Sequence, residues 1–553
     1  MIYESNFRQS LVAYGQTRDA LVPISASRLL KRVVCSMALA VVAAIACMPA
    51  WAQSTTADVV GTVMDSTGAV VPGATVELTN VNTQEKRVAT SGAGGEYTFT
   101  LLKPSHYSLT VTAPGFKVFK VNSFALAAGD RSRQDSRLDV GSTGEVVTVD
   151  AAPPALHTDT SALITTVTEK ATQELPLNGR NFINLVQVIP GATEGLNNGL
   201  ASGNRPDDRR QTSSVSVNGQ ADMMNNQMVD GIDNNERVIG SLGVRPSVDA
   251  IQEVSVQTNA FTAEVGRSAG ATVNVITKSG TNQFHGSVYE FFRNDVLNAN
   301  PYKFGANIPK PKYRQNQFGG SLGGPIMKDK TFFFADYEGL NIVRNLNPTT
   351  TTVPTLFERN NVGNFTDNPA INKIVDPANF DKIGLQYFNL FPLPTNNSAV
   401  SGNYVGAPRN SQNNKTADGR ADHRFGNGDL AYLRYTYNAV DTNIGSLFPQ
   451  VTSAAGPIVP GGNLGSYPGP AVTRAHQAQL NYIHAFTPNV LVELKAGYTL
   501  LDNAQYPLNF GKAINTAMGQ PNMNVDSRTA ELSAVTINQG TSTTLGNRPP
   551  IIY

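Results

Sequence analysis

Few side chains in this 553-residue chain stand at spacings that support covalent chemistry. Gly266-Arg267-Ser268-Ala269-Gly270 spells G-x-S-x-G, the pattern of a nucleophilic serine on a sharp strand-to-helix turn. The residues that follow, ATVNVITK, alternate at period two and predict a strand instead of a helix, so these glycines read as turn formers. Asp230, Asp233 and Glu236 bring three carboxylates close together, but they lack the spacing of a calcium loop closed by a bidentate glutamate. His106, His157, His285, His423, His476 and His484 form no H-E-x-x-H or other paired pattern, and there is no P-loop or dinucleotide fingerprint. Cys35 and Cys47, the two cysteines, lie in one apolar run near the N-terminus. Once that run is removed, disulfides, thiol catalysis and cysteine-ligated zinc are excluded. The expectation is a protein that is not an enzyme, with no cofactor and no resident metal.

One stretch can work through its backbone alone. Glu145-Val146-Val147-Thr148-Val149 is β-prone, lies between a glycine-rich turn and Pro153-Pro154, and has no obvious partner strand. An extended segment of this kind can be added as a strand to another protein, with main-chain hydrogen bonds supplying the affinity. It reads equally as a linker or as the last strand of the domain before it.

The elements that would carry such a segment are mostly strands. Basic and acidic residues number 43 and 42, a net charge of +1, which leaves no basic surplus for nucleic acid. Charged residues make up 15%, below the usual quarter, and glycine reaches 48, a composition that fits a β-rich exported protein. Lys31-Arg32 precede an uncharged run, Val33–Ala52, that ends in Ala50-Trp51-Ala52. A signal peptide cleaved between Ala52 and Gln53 is expected, in place of a buried helix. Residues 1–28 make an unusually long leader.

From Val59 to Val140, about seven alternating runs separated by Gly/Pro turns indicate a small sandwich. Its core candidates are Val76 and Leu78, Tyr97 and Phe99, and Leu109 and Val111. Further on, Phe182, Leu185, Val186 and Ile189 fall at i, i+3, i+4 and i+7, a short amphipathic helix ended by Pro190-Gly191. Asn178-Gly179, Asn218-Gly219 and Asp230-Gly231 mark turns. Ile251–Gln257, Ala271–Thr277 and Phe284–Phe292 alternate, with a domain boundary between Gly280 and Gln283. Beyond it, strands are predicted at Phe284–Arg293, Asn316–Gly323, Thr331–Glu338, Thr416–Phe425, Asp429–Asn438, Ala475–Ala485 and Asn489–Leu500. In the last, Val490, Val492, Leu494, Ala496 and Tyr498 share one face while Glu493 and Lys495 lie on the other. Leu433, Tyr435 and Tyr437 likewise oppose Arg434 and Thr436, a pattern that suits lipid outside and water inside. Long Asn/Pro/Gly-rich loops, at Asn345–Asn414 and Asp441–Thr473, separate some of these strands.

Three segments carry a family resemblance. EVGRSAGATVNVITKSGTNQFHGSVYEFFRND resembles the plug-to-barrel junction of TonB-dependent outer-membrane receptors of the Oar-like branch, and ELPLNGRNFINLVQVIPG and SSVSVNGQADMMNNQMVDGIDNNE resemble parts of their plug. GTVMDSTGAVVPGATVEL with SGAGGEYTFTLLKPSHYSLTVTAPGF resembles the carboxypeptidase regulatory-like domain, which has a transthyretin- or carbohydrate-binding-like fold and is not a peptidase. It departs from that pattern at Ser105-His106, where a glycine is usual. Sugar sites favour exposed aromatic rings, Tyr97 and Tyr107 sit in core-like alternation, and the single Trp is Trp51, so a spacer or docking role is preferred over sugar binding.

What the resemblance implies is a mostly β protein: leader and signal (1–52), transthyretin/carbohydrate-binding-like sandwich (53–140), linker with a TonB box at Glu145, Val146, Val147, Thr148 and Val149 (141–155), α+β plug (156–282), and the first part of a transmembrane antiparallel β-barrel (283–553). Plugged transporter barrels have about 22 strands, more than residues 283–553 can hold, so a fragment of a longer receptor is expected. The implied place is the outer membrane, sandwich and plug on the periplasmic side. The implied partners are a TonB-like energy-coupling protein, outer-membrane lipid and a ligand that is a glycan, a peptide or a metal chelate, with no nucleic acid. The rival reading is a secreted or surface glycan-binding, adhesin-like β protein.

Overall fold

The computed structural model describes residues 56–141, 146–149, 162–194, 215–237, 242–259, 268–300, 310–345 and, with short interruptions, 348–552. Ala52 and Gln53, at the expected cleavage site, and Glu145 lie outside the described residues.

Nine strands build the first part: β1 (Ala57–Asp65), β2 (Thr75–Asn80), β3 (Lys86–Thr90), β4 (Glu96–Leu102), β5 (Ser105–Thr112), β6 (Val118–Leu126), β7 (Arg131–Arg133), β8 (Ser136–Leu138) and β9 (Val146–Val149). They form two sheets, one ordered β4-β1-β7 with β8 also on β1, the other β3-β2-β5-β6-β9. Alternation decides which side chains turn inward. Val76, Leu78, Tyr97, Phe99, Leu109 and Val111 are all buried in the core, as their period predicts. The hydroxyls of Tyr97 and Tyr107 donate to the carbonyls of Gln134 and Lys103, so both rings serve the core. Ser105 and His106 open β5, and Lys103-Pro104 connects it to β4.

The second part holds β10 (Ile164–Thr168), β11 (Ala192–Glu194), β12 (Val215–Val217), β13 (Asn226–Val229), β14 (Ile232–Asp233), β15 (Ile251–Gln257) and β16 (Thr272–Thr277). Its main sheet runs β10-β15-β16-β13-β14, with β13 parallel to β16 and the other pairs antiparallel. The predicted amphipathic helix is present but wound tighter, as a 3-10 helix over Phe182–Val188. Ile183 is buried along with Phe182, Leu185, Val186 and Ile189, because protein encloses more than one face of the helix. The same enclosure acts on β16. Its sequence alternates like a half-exposed strand, yet all six residues are buried.

The third part is a meander of β17 (His285–Asn294), β18 (Tyr313–Met327), β19 (Thr331–Asn345), β22 (Arg409–Arg424), β23 (Asp429–Ile444), β26 (Gly469–Thr487), β27 (Val490–Gln505) and β30 (Ile551–Ile552), antiparallel throughout. All seven predicted strands are there, most of them longer at one or both ends. Among the described residues the sheet does not close on itself. Val490, Val492, Leu494, Tyr498 and Leu500 on β27, with Leu433 and Tyr435 on β23, are exposed on its outer face. The inner face of this wall of strands is covered by the second part of the chain, the plug. Arg434 is 1% exposed and Thr436 fully buried, because the second part of the chain fills the space they face.

Between the long strands, the loops form a lobe of their own. It is made of the pairs β20 (Thr349–Thr351) with β21 (Tyr404–Gly406), β24 (Val451–Ser453) with β25 (Gly456–Ile458), and β28 (Val535–Gln539) with β29 (Thr541–Leu545), together with helices Leu356–Asn360 and Lys382–Leu390. Phe448 is its centre, edge-on to Tyr404 at 5.2 Å and to Phe391 at 5.9 Å between ring centroids. Thr355 and Glu358 close a reciprocal capping box at the start of the first helix.

Position on β27 yields a direct test of the outer face. Leu494→Arg near a bilayer midplane should destabilise the sheet by about 2–4 kcal/mol. Lys495→Leu, on the inner face beside Glu493 at 3.2 Å, should cost much less. Equal tolerance of both in a membrane-refolding titration would refute a lipid-facing strand.

Candidate functional site: a buried charge ladder between the second part and the long-strand sheet

The hairpin between β13 and β14 turns through Asp230 (φ 47°) and Gly231 (φ 76°), the two left-handed residues of a type I′ turn. Aspartate tolerates that conformation better than most residues, and here it also places a carboxylate at the hairpin tip. Asp230 is 1% exposed. Its Oδ1 accepts from the Thr277 N–H at 2.9 Å, and its Oδ2 accepts from the Thr277 hydroxyl at 2.6 Å. Arg434 Nε reaches Oδ2 at 3.0 Å, and Arg420 Nη1 lies 3.8 Å from Oδ1.

Those two arginines are register partners, directly opposite each other on β22 and β23. Like charges in that position repel. The carboxylate of the plug hairpin between them turns the repulsion into a bridge. Arg420 also grips Asp422 with two bonds of 3.0 and 3.1 Å and lies over the Tyr432 ring at 4.1 Å. Asp422 accepts in turn from Lys103 of the sandwich at 2.5 Å. The result is a ladder of alternating sign, Arg434–Asp230–Arg420–Asp422–Lys103, that crosses all three parts of the chain.

A second opposed pair is made of two acidic side chains, met by a neutral residue of the plug. Asp336 on β19 and Asp418 on β22 are register partners. Ser247 of the plug lies between them, its hydroxyl donating to Asp336 and its N–H donating to Asp418 Oδ2 at 3.1 Å. A third contact runs through Arg180, which pairs with Asp249 of the plug and with Glu338 of the wall at 3.1 Å. The Tyr289 hydroxyl donates to the same Glu338 oxygen at 2.9 Å, and the guanidinium lies 4.4 Å above the Tyr289 ring. Gly497 on β27 allows close approach, since a Cβ there would meet the Ile232 side chain at 2.6 Å.

The residues singled out for chemistry have ordinary roles here. Ser268 donates to the Met224 carbonyl, and a strand follows it, so no nucleophile elbow forms. Asp233 accepts from Asn235 and Arg237 while Asp230 faces the wall, so the acidic triplet is dispersed. Val146–Val149, for which the sequence offers no partner, is the fifth strand of the sandwich sheet, parallel to β6. Its Val146 is 57% exposed.

The ladder is not among the sequence expectations, although part of its signal is local. Asp418, Arg420 and Asp422 recur at every second position of β22, Arg434, Thr436 and Asn438 do so on β23, and Gln477, Gln479 and Asn481 on β26. A polar row of that period opposite a lipid-type face announces an inner surface with something to bind.

The sandwich is tied to the plug as well. Glu253 accepts from the Ala128 N–H at 2.6 Å, and Gln252 donates to the Pro104 carbonyl at 2.9 Å. Burial pushes the Glu253 carboxyl up to about 7, against the lowering effect of the Ala128 bond, and nearby Asp130 raises it further. Where the three parts meet, a cavity of about 450 Å³ opens beside Lys103, Gln252, Lys278 and His285.

Comparison with known proteins matches residues 276–552 to the outer membrane beta barrel domain family and residues 58–139 to the carboxypeptidase regulatory-like domain family. The TonB-dependent transporter Oar of Myxococcus xanthus is 29% identical over 303 residues, 52% of this chain and 27% of that protein, so the chain spans little more than a quarter of the relative's length. Among solved structures, the outer membrane transporter YddB of Escherichia coli matches 62% of this chain and 39% of its own at 11% identity and a TM-score of 0.39. The siderophore receptor PirA of Acinetobacter baumannii matches 64% and 41% at 15% identity and a TM-score of 0.36.

Two outcomes test the seat. Asp230→Asn keeps the turn and the volume but leaves two buried arginines opposite each other, so plug seating should weaken by about 3–5 kcal/mol. Asp233→Asn, a few residues on and more exposed, should change it little. Urea unfolding followed by protease cleavage of the plug would read both, and equal effects would refute the ladder. For Glu253, the docked carboxyl has a raised pKa, so the docked state holds more protons between about pH 4.5 and 7. Docking of the sandwich should therefore be firmest at low pH and loosen as pH rises through about 7. Glu253→Gln should remove that slope, read as protection of the Ala128 amide corrected for intrinsic exchange.

Proposed function

The chain belongs to the outer-membrane β-barrel family, and from that premise we propose that it works as a TonB-dependent transporter of the Oar-like type, moving a ligand past a displaceable plug. The observation that carries this reading is the plug seated against the inner face of a lipid-type sheet by buried, alternating charges. A wall whose arginines need the plug carboxylate supports a plug that returns to one position after each opening. No bond is made or broken in the cargo. The work is the separation of the plug from the wall, driven by a TonB-type partner pulling from the periplasmic side.

The segment Glu145–Val149 is the proposed point of attachment, of which Val146–Val149 is described as β9. Residues 150–163 join β9 to β10, the edge strand of the plug sheet, which among the described residues pairs with β15 alone. A pull therefore acts first on β10 and the helix Glu169–Glu174 behind it, whose Glu169 is paired with Lys278 at 2.9 Å. The charge ladder holds β13 and β14 at the other end of the same sheet. Peeling from one edge with the other clamped opens a path without expelling the plug.

Strand addition depends on main-chain donors, so Val147→Pro should remove one and hold φ near about −65°. Capture of the protein by the immobilised periplasmic domain of the TonB-type partner should fall at least tenfold. Energy-dependent uptake of any ligand it is shown to bind should drop to the level of cells lacking the partner, with surface binding intact. Unchanged capture would falsify the assignment of this segment.

A further inference from the structure

We infer that the N-terminal sandwich is the keeper of the coupling strand: β6 holds Val146–Val149 in parallel register, and the energy-coupling partner has to take the strand from it. This rests on the reading of that segment proposed above.

The register is Val118 with Val146, Phe119 with Val147, Lys120 with Thr148 and Val121 with Val149. Phe119 and Val121 are core residues of the sandwich, so β9 extends a sheet whose inner face is already buried. The hold is deliberately slight in physical terms. It spans four residues, it is parallel, which is the weaker of the two pairings, and it sits at a sheet edge. The chain just upstream is fastened more firmly. The Gly141 N–H donates to the Gly115 carbonyl at 3.1 Å, the Lys117 N–H donates to the Asp139 carbonyl at 2.9 Å, and Phe116 bridges Val140. A strand released from β6 therefore stays tethered beside its slot and re-forms the pairing when let go.

Strand addition to β9 where it lies is the alternative, because among the described residues nothing pairs with its outer edge. That arrangement would not bring tension to β10. The sandwich is docked through Lys103 to Asp422 and through Ala128 to Glu253, so a pull on a parked β9 would load those contacts. For tension to reach β10, β9 must leave β6. The sandwich then acts as a threshold, exposing the segment only to a partner that pairs better than β6 does.

A reversible lock tests this. Lys120→Cys with Thr148→Cys joins register partners on the outer side of the sheet, and the natural Cys35 and Cys47 lie ahead of the expected cleavage site. Neighbouring strands are close enough for a disulfide. In the full chain in detergent, the oxidised form should lose at least tenfold in capture by the periplasmic domain of the TonB-type partner. Dithiothreitol should restore it, and each single variant should behave like the parent. Oxidised protein captured at the parent level, while Val147→Pro is not captured, would overturn the keeper and leave the coupling segment standing. No effect of either change would overturn both. If neither this pair nor Val118→Cys with Val146→Cys closes under oxidant, β9 is not held on β6 and the inference falls.

Discussion

A buried carboxylate between two opposed arginines governs how the parts of this protein fit. Arg420 and Arg434 face each other across β22 and β23, and without Asp230 the buried Arg434 would lose the carboxylate at 3.0 Å while Arg420 would keep only Asp422. Burying unpaired charge costs several kcal/mol per ion. Plug and wall therefore depend on one another, and the dependence has a position: the hairpin tip must reach one place on one pair of strands. Asp336 and Asp418 impose a second such place through Ser247. Hydrophobic contact alone would let the plug slide. Opposed side chains of one kind, each pair met by a single plug residue, give it a register.

The consequence for motion is an asymmetry within the plug sheet. Its β13–β14 end carries the charge contacts, while its β10 edge is held, among the described residues, by one antiparallel pairing and leads back to the sandwich. The sandwich shares in both halves of the arrangement. Lys103 ends the charge ladder at Asp422, and β6 holds the strand through which tension would enter. A small domain with a closed core of its own is suited to this, because it can stay folded while the segment at its edge comes and goes.

At the other end, the loop lobe answers a different constraint. Long loops cost entropy unless they bury something. These bury Phe448, Tyr404, Phe391, Tyr387 and Ile458 in one cluster, joined by Asn403, whose amide pairs with both the N–H and the carbonyl of Val353. A surface assembled in this way is held in shape by its own core.

Much of this architecture is local and could be read from the chain. Side chains alternate along a strand whatever its partner, so Val76, Phe99, Leu109 and Leu494 fall on the faces their parity assigns. Asp230-Gly231 and Asn218-Gly219 adopt left-handed turns because few other residues tolerate them. The sequence alone thus determined the long strands, their inner and outer faces and the turns. Tertiary structure alone decided which strand accepts β9, that β16 is buried on both faces, that the 182–188 helix is tightened, and that the loops share a core. It also decided that Asp230 lies between Arg420 and Arg434, residues remote from it in the chain. Pairing across such distances is set by strand register and by what fills the inner face of the sheet, and neither leaves a mark in the local period of any one segment.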